Sequence, residues 1–337
     1  MIRNILLNIL IWFYQFNIFN FYTLKLISLI GGPVFIKIFQ VFHNLNSLNY
    51  FHNEGTIGTI TFTRDLVVKK LRPNIYNNFV NSLNIFKSFI IFNNYKFPFD
   101  YNDFSKYNLL QLDMNIEAEN AKKLENVFEN IYNVSVIKIY RSNKKYHISK
   151  KIVGFDIDLL LAIHPHCQKK LIYLLHLSYL LMLIKNCFHC DWHFGNFLIR
   201  LDSKKNLELN ILDTGLVGTF DKKIHDRIKS LLLTDFLFPK RYNVIKFLLF
   251  CNTNQNANIK NFIDDTKLSF DNYNTDIRNI INKAGVYNLK FPIMVLYMFQ
   301  GILFINKLCL SSNVSINELK KYAKEKNFYN EIKNSLK

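Results

Sequence analysis

Two short acidic segments constrain this chain more than anything else in it. The first is His189-Cys190-Asp191-Trp192-His193-Phe194-Gly195-Asn196, and the second, after about a hairpin's worth of chain, is Leu212-Asp213-Thr214-Gly215. Together they supply a carboxylate, an amide five residues later and a second carboxylate before a glycine turn, the chain order of an ATP-dependent phosphoryl-transfer site. In such a site the first Asp takes or orients a hydroxyl proton, the Asn holds Mg²⁺, and the second Asp holds Mg²⁺ against the β- and γ-phosphates. Asp191 is therefore the candidate catalytic residue, Asn196 and Asp213 are the candidate metal ligands, and ATP and Mg²⁺ are the expected cofactors.

A site of this kind also needs a lysine fixed against the α- and β-phosphates, held by a glutamate on a helix so that it does not sweep freely. Both appear upstream in the right order. Val67-Val68-Lys69-Lys70-Leu71 is a β-branched strand that presents Lys69, and Glu117 lies on the helical segment Asn115-Ile116-Glu117-Ala118-Glu119-Asn120. Just before the lysine strand, Gly55-Thr56-Ile57-Gly58 is suited to cover phosphates with backbone N–H groups, which makes Gly55, Thr56 and Gly58 candidate nucleotide contacts.

The rest of the chain is consistent with a packed protein in three blocks. Half of its 337 residues are hydrophobic and 15% aromatic, ample for a core. Residues 1–50 read as a helical extension broken at Gly31-Gly32-Pro33. Residues 51–153 mix strands and helices: a hairpin of Gly58–Phe62 and Leu66–Leu71, helices over 74–93 and 115–132, and strands over Val134–Arg141 and Tyr146–Ile152. Residues 154–337 are mostly helical, with a hairpin of Phe197–Arg200 and Leu207–Leu212 behind the acidic loop and a buried helix over Phe291–Leu310. This predicts an α+β, bilobal protein-kinase-like fold with an N-terminal helical extension, a small mixed lobe and a larger helical lobe, nucleotide lying between the lobes.

Charge and cysteines narrow the setting. The net charge of +18 permits attraction to ATP, to a lipid or membrane surface or to nucleic acid. There is no long basic run or RNA-binding motif, and the lysine excess follows a general Ile/Asn/Lys bias, so nucleic acid is not an expected partner. Five cysteines without a regular framework suit reduced thiols in a cytosol-like compartment. Neither Cys187/His189/Cys190/His193 nor His164/His166/Cys167 has the spacing of a structural zinc site, and His189 and His193 are expected to shape the loop around Asp191. The apolar stretch Ile5–Ile30 is interrupted by Asn8, Gln15, Asn17, Asn20 and Lys25, which favours a helix packed on the domain or lying on a membrane surface over a transmembrane span.

Read in order, these motifs resemble the UbiB-like, aarF-domain-containing atypical kinases. The marks are Lys37-Ile38-Phe39-Gln40, similar to the family's Lys-x-Gly-Gln element; Val68-Lys69-Lys70-Leu71-Arg72-Pro73, similar to its Val-Lys-x-x-Arg-Pro strand; Gln111-Leu112-Asp113 with Glu117-Ala118-Glu119-Asn120, similar to its Glu-x-Asp and Glu-Ala-x-Asn helix; and the His-x-Asp and Asp-x-Gly segments above. The resemblance covers about residues 30 to 310. It implies that Lys37, Gln40 and Asp113 belong to a regulatory element folded over the place where a protein substrate docks in protein kinases. It also implies ATPase or small-molecule or lipid-linked kinase activity related to quinone or isoprenoid-lipid metabolism. The short path from Gly215 to a helix near Lys222, with no Ala-Pro-Glu anchor, agrees with a non-protein acceptor.

The chain departs from the family pattern at Phe39, Gln111, Trp192, Phe194 and Lys150, and in its Gly55-Thr56-Ile57-Gly58 loop. None of these removes a phosphate or metal ligand. A second reading, a nucleotide-binding pseudokinase acting as a lipid-binding or scaffolding module, therefore stays open beside catalysis. A third, a phosphotransferase of the aminoglycoside/choline kinase type, is disfavoured by Lys37 and Gln40.

Overall fold

The computed structural model describes residues 2–15, 26–27, 29–35, 57–94, 96–202, 206–234, 241–267, 273–312 and 316–336. The first element is helix α1 (Ile2–Gln15). Its Leu7 and Leu10 are buried, Asn8 donates to the Asn93 side chain at 2.5 Å, and the Arg3 guanidinium donates to the Ile30 carbonyl. Ile5 and Leu6 on the same helix each remain 42% exposed. The stretch Ile5–Ile30 is thus seen at its two ends, since residues 16–25 lie outside the described set.

The small lobe is built on a hairpin of β1 (Gly58–Phe62) and β2 (Leu66–Leu71), as the alternation of β-branched residues predicts. The turn is closed by Thr63, whose N–H donates to the Leu66 carbonyl at 2.9 Å and whose hydroxyl oxygen accepts from the Leu66 N–H at 3.1 Å. Three helices follow: α2 (Ile75–Asn93), α3 (Tyr101–Leu110) and α4 (Met114–Val127). Helix α4 stops at Val127 and passes into turns, five residues short of the expected end. Helix α3 carries too weak an apolar pattern to stand out in the sequence; Asp100 starts it by accepting from the N–H groups of Asn102 and Asp103.

The run Val134–Arg141, expected as one strand, is two. Strand β3 (Val134–Val136) and strand β4 (Ile139–Ser142) enter different sheets. Strand β4 pairs with β5 (Tyr146–Lys150) in an antiparallel sheet ordered β1-β2-β5-β4. β-propensity is continuous through the run, but the chain changes partners: the Ile137 N–H donates to the Ile211 carbonyl at 2.8 Å, and the next carbonyl, Lys138, accepts from Lys150 at 3.0 Å. A choice of partner made so far along the chain leaves no local mark.

After β5 the chain crosses to the large lobe along residues 151–155. The Lys151 N–H donates to the Asp65 carbonyl at 2.9 Å, and Phe155 exchanges both backbone bonds with Ile199 at 2.8 Å. Gly154 is needed in this crossing, because a Cβ there would lie 2.9 Å from the Ile199 carbonyl oxygen. Helices α5 (Ile157–Ile163) and α6 (Gln168–Ile184) come next. Every side chain of α6 from Leu171 to Ile184 is buried, the pattern of a core helix with no solvent face. With the turn before it, Pro165–Ile184, it is the one helix among the described residues long and apolar enough to cross a membrane, and it is the centre of the large lobe.

Around α6 lie β6 (Phe188–His189), β7 (Phe197–Leu201), β8 (Leu207–Ile211) and β9 (Val217–Gly218). They form a sheet ordered β3-β8-β7, parallel at β3–β8, and the small antiparallel pair β6–β9. Helices α7 (Lys222–Thr234), α8 (Arg241–Cys251), α9 (Ile259–Lys267), α10 (Tyr273–Val286), α11 (Ile293–Ser311), α12 (Ile316–Glu325) and α13 (Phe328–Leu336) complete the lobe. Helix α11 begins directly after Pro292 and is largely buried, as expected for the Phe291–Leu310 stretch. The bilobal α+β arrangement read from the sequence is the one found.

Candidate active site

The lysine and the glutamate reach the site from different elements. Lys69 is the fourth residue of β2, and the antiparallel register sets it opposite Ile60 on β1 and His147 on β5, so all three project from one face of the sheet. Glu117 lies in the first turn of α4, whose N-cap is Asp113: the Asp113 carboxylate accepts the Asn115 N–H at 2.9 Å. The geometry gives Asp113 this capping task. The Lys37 and Gln40 positions read with it, like Gly55 and Thr56 of the phosphate loop, lie outside the described residues. Gly58 is described and pairs with Leu71 at the start of β1, where a Cβ would meet the Lys70 carbonyl at 3.0 Å.

The structure brings Lys69, Glu117 and Asp213 together. The Lys69 ammonium donates to Glu117 Oε1 at 2.8 Å, to Glu117 Oε2 at 3.0 Å and to Asp213 Oδ2 at 2.8 Å. Burial by itself lowers the lysine's proton affinity, but Asp213 and then Glu117 outweigh it and hold the ammonium well above the ordinary lysine range. Asp213 is the mirror image. Burial pushes its carboxyl up, and Lys69, with the Gly215 N–H donating to Oδ1 at 2.9 Å, pulls it far below the usual carboxylate range. Glu117 is almost wholly buried, whereas the Asp213 side chain is 42% exposed and so is the carboxylate of the pair that solvent or a ligand reaches.

The acidic loops are held by short-range bonds. Strands β6 and β9 pair Phe188 with Gly218 and His189 with Val217, and the Cys190 N–H donates to the Leu216 carbonyl at 3.0 Å, which lays the two loops side by side. His189 joins them: its Nδ1 accepts the Asp191 N–H at 3.1 Å and its Nε2 lies 2.6 Å from the Asp213 carbonyl, so the ring is neutral with its proton on Nε2. Burial lowers its pKa in the same sense. His193 accepts the Gly195 N–H at Nδ1 and sets Nε2 3.5 Å from Asp191 Oδ1. Both histidines therefore shape the loop around Asp191.

Asn196 donates its Nδ2 to the Asp191 carbonyl at 2.7 Å, and the same nitrogen lies 3.2 Å from His193 Nε2. Its own carbonyl accepts the Leu212 N–H at 2.9 Å, which brings Asn196 beside Asp213. A carboxylate and an amide oxygen make a hard donor set. Mg²⁺ takes one or two such protein oxygens and completes its shell with water and substrate phosphates, so these two residues fit Mg²⁺ held jointly with a nucleotide. Among the described residues no three His, Cys, Asp or Glu side chains cluster as an all-protein metal cage.

Three residues at the site were not singled out in the sequence. The Thr214 hydroxyl donates to the Glu117 carbonyl at 2.9 Å, and Asn120 Nδ2 donates to the Thr214 carbonyl at 3.0 Å, so the Asp213 turn is tied to α4 at two points. The third, His147, stands behind Glu117, with Nε2 3.5 Å from Oε1. The signal for Asn120 and Thr214 is their place inside the quoted motifs, and the signal for His147 is a polar residue at an inward position of β5.

Comparison with known proteins gives the family. The model described as the ABC1 atypical kinase-like domain matches residues 58–247, more than half of the chain. A search of the curated proteins gives no match. Among solved structures, the Rv3197–erythromycin complex from Mycobacterium tuberculosis is similar at 15% identity and a TM-score of 0.43, over 76% of this chain and 74% of that one. The Rio2 kinase–ADP/Mg²⁺–phosphoaspartate complex from Chaetomium thermophilum is similar at 12% identity and a TM-score of 0.30, over 86% of this chain and 75% of that one.

Proposed function

The chain belongs to the ABC1 atypical kinase-like family, and from that premise we propose that it binds Mg²⁺-ATP between its lobes and transfers or hydrolyses the terminal phosphoryl group. The observation that carries this is the single ammonium of Lys69 held within 3.0 Å of both Glu117 and Asp213. In this reading Lys69, aimed by Glu117, binds the α- and β-phosphates, and the Gly55–Gly58 loop covers them. Asn196 and Asp213 hold the metal. Bound there, Mg²⁺ neutralises phosphate charge and ATP supplies the phosphoryl group. Asp191, fixed by His189 and His193, accepts or orients the proton of the attacking hydroxyl or water.

The division into a helical extension (1–50), a small lobe (51–153) and a large lobe (154–337) is part of the same proposal, with Lys37, Gln40 and Asp113 as its regulatory element. So is a small or lipid-linked acceptor, supported by the short path from Gly215 to α7. Association with an anionic membrane surface is proposed from the exposed Ile5 and Leu6 of α1 together with the +18 charge. The pseudokinase alternative rests on the apolar Trp192 and Phe194 flanking Asp191.

The test is ATP turnover by the purified chain, with and without anionic liposomes carrying polyprenyl or phenolic lipids, beside thermal protection by Mg²⁺-ATP. Protection that disappears in Asp213→Asn supports the metal site, and protection unchanged in that variant overturns it. Protection without turnover under every condition selects the pseudokinase.

A further inference from the structure

An ammonium group has three N–H donors, and Lys69 has committed all of them: two to the oxygens of Glu117 and one to Asp213 Oδ2. To engage the α- and β-phosphates together it must release two: the one on Asp213, which the metal takes over in the proposed site, and one on Glu117. Letting go of Glu117 leaves a carboxylate that is 2% exposed short of a donor, which is costly unless another group takes the place.

One group is positioned to do so. His147 lies opposite Lys69 across the β2–β5 pair and is 1% exposed. Its Nε2 is 3.5 Å from Glu117 Oε1, the oxygen Lys69 approaches at 2.8 Å. That contact falls short of a hydrogen bond, and among the described residues neither ring nitrogen of His147 has a hydrogen-bond partner. A buried imidazole with two unsatisfied nitrogens is rare in a folded protein and calls for a reason. The groups around it are Lys69 from β2, Glu117 from α4 and, from β4, its register partner Ser142, whose hydroxyl is turned to Asn115. Asp213 joins this cluster through Lys69.

We infer that His147 is a positioning residue that stands in for Lys69 at Glu117 Oε1. When Lys69 swings one N–H toward a phosphate, the Nε2–H of His147 closes on Oε1, so Glu117 keeps its donors and the lysine remains aimed by Oε2. The exchange moves no proton and breaks no covalent bond. It rests on the reading of the cleft as a nucleotide site, but it makes a statement about Lys69 that holds without nucleotide: His147 sets how easily the ammonium leaves Glu117.

Two measurements on the full chain separate these statements. The first, without nucleotide, is the rate at which a small amine-acylating reagent modifies Lys69, read by mass spectrometry with exposed Lys70 as internal standard. His147→Leu, which has no donor, slows Lys69 modification. His147→Gln, whose amide nitrogen reaches the place of Nε2, restores it. Should the leucine variant not fold, His147→Asn serves, because its shorter amide falls back from Glu117. The second is Mg²⁺-ATP affinity from thermal protection, expected to fall about 5- to 10-fold in His147→Leu, the worth of one net hydrogen bond, and to recover in His147→Gln. Equal Lys69 modification in wild type and both variants overturns the inference whatever ATP does. The expected modification pattern with no ATP binding to wild type upholds it and overturns the nucleotide reading alone.

Discussion

The two lobes bring their share of the site together by different means. In the small lobe, Lys69 and Glu117 come from a strand and a helix nearly fifty residues apart and meet because the β1-β2-β5 register and the Asp113 cap aim them at one another. In the large lobe, Asp191, Asn196 and Asp213 sit on loops bound within themselves by His189, His193, Asn196 and Gly215. The first arrangement buries charge and depends on distant packing. The second spends many short polar bonds and keeps its carboxylate partly open. Damage to the small lobe therefore strands a buried ion, whereas damage to the large-lobe loops removes a reacting or ordering group from a framework that persists.

The largest expected effect tests the small-lobe half of that contrast. Lys69→Ala leaves Glu117 buried without its cation and should cost about 3–5 kcal/mol of stability by chemical denaturation, whereas exposed Lys70→Ala should stay within about 0.5 kcal/mol. A larger loss in the Lys70 variant breaks the register argument. Next comes the large-lobe half. Under the proposed function Asp191→Asn should keep Mg²⁺-ATP protection and stability while turnover falls by about 10²-fold or more, the effect of removing a positioned base. Equal turnover removes Asp191 from that role.

A smaller effect probes the joint between the two. Thr214→Val keeps the shape of a wholly buried side chain but takes a donor from the Glu117 carbonyl, so a loss of about 1–3 kcal/mol is expected. A double cycle with Asn120→Ala should be non-additive, since both residues tie the same turn to α4. Additive losses would mean that the two lobes are not coupled there.

The smallest effect is a pH dependence. His189 is held neutral in the folded chain, by burial first, with its pKa below the ordinary value. As pH falls below about 6.5 the unfolded chain takes up the proton first, so the stability this residue contributes is present above that pH and is lost as pH drops toward the folded value. Wild-type stability should fall more steeply than that of His189→Gln as pH drops from 6.5 to 5.5, read by chemical denaturation. An identical pH slope in both proteins discards His189 as the source.

Legibility followed the range of the interactions. The β1–β2 hairpin, helix α2 and the buried helix α11 were readable because alternation, periodicity and a Pro at a helix start are local signals. The strand motif presents Lys69, and the pairing of Lys69 with Ile60 and His147 turns it to the Glu117 side. The Val134–Arg141 run reads as one strand because both halves have the same propensity and only their partners, β8 and β5, differ. His147 and Thr214 stayed hidden because their importance is a contact with Glu117, 30 and 97 residues away.

The inventory and its order are written in the chain alone: one lysine strand, one glutamate helix, two acidic loops, and enough apolar helix to enclose them. Those follow from side-chain chemistry and from spacings of a few residues, which survive without the rest of the protein. Packing is what makes Glu117 and Asp213 share a single ammonium, turns Asp213 rather than Glu117 to solvent, and sets behind the pair an imidazole with no hydrogen-bond partner among the described residues. Each of these is a matter of which distant segments lie against one another and how much water they exclude, and that is set by sheet register and core packing rather than by any residue's neighbours in the chain.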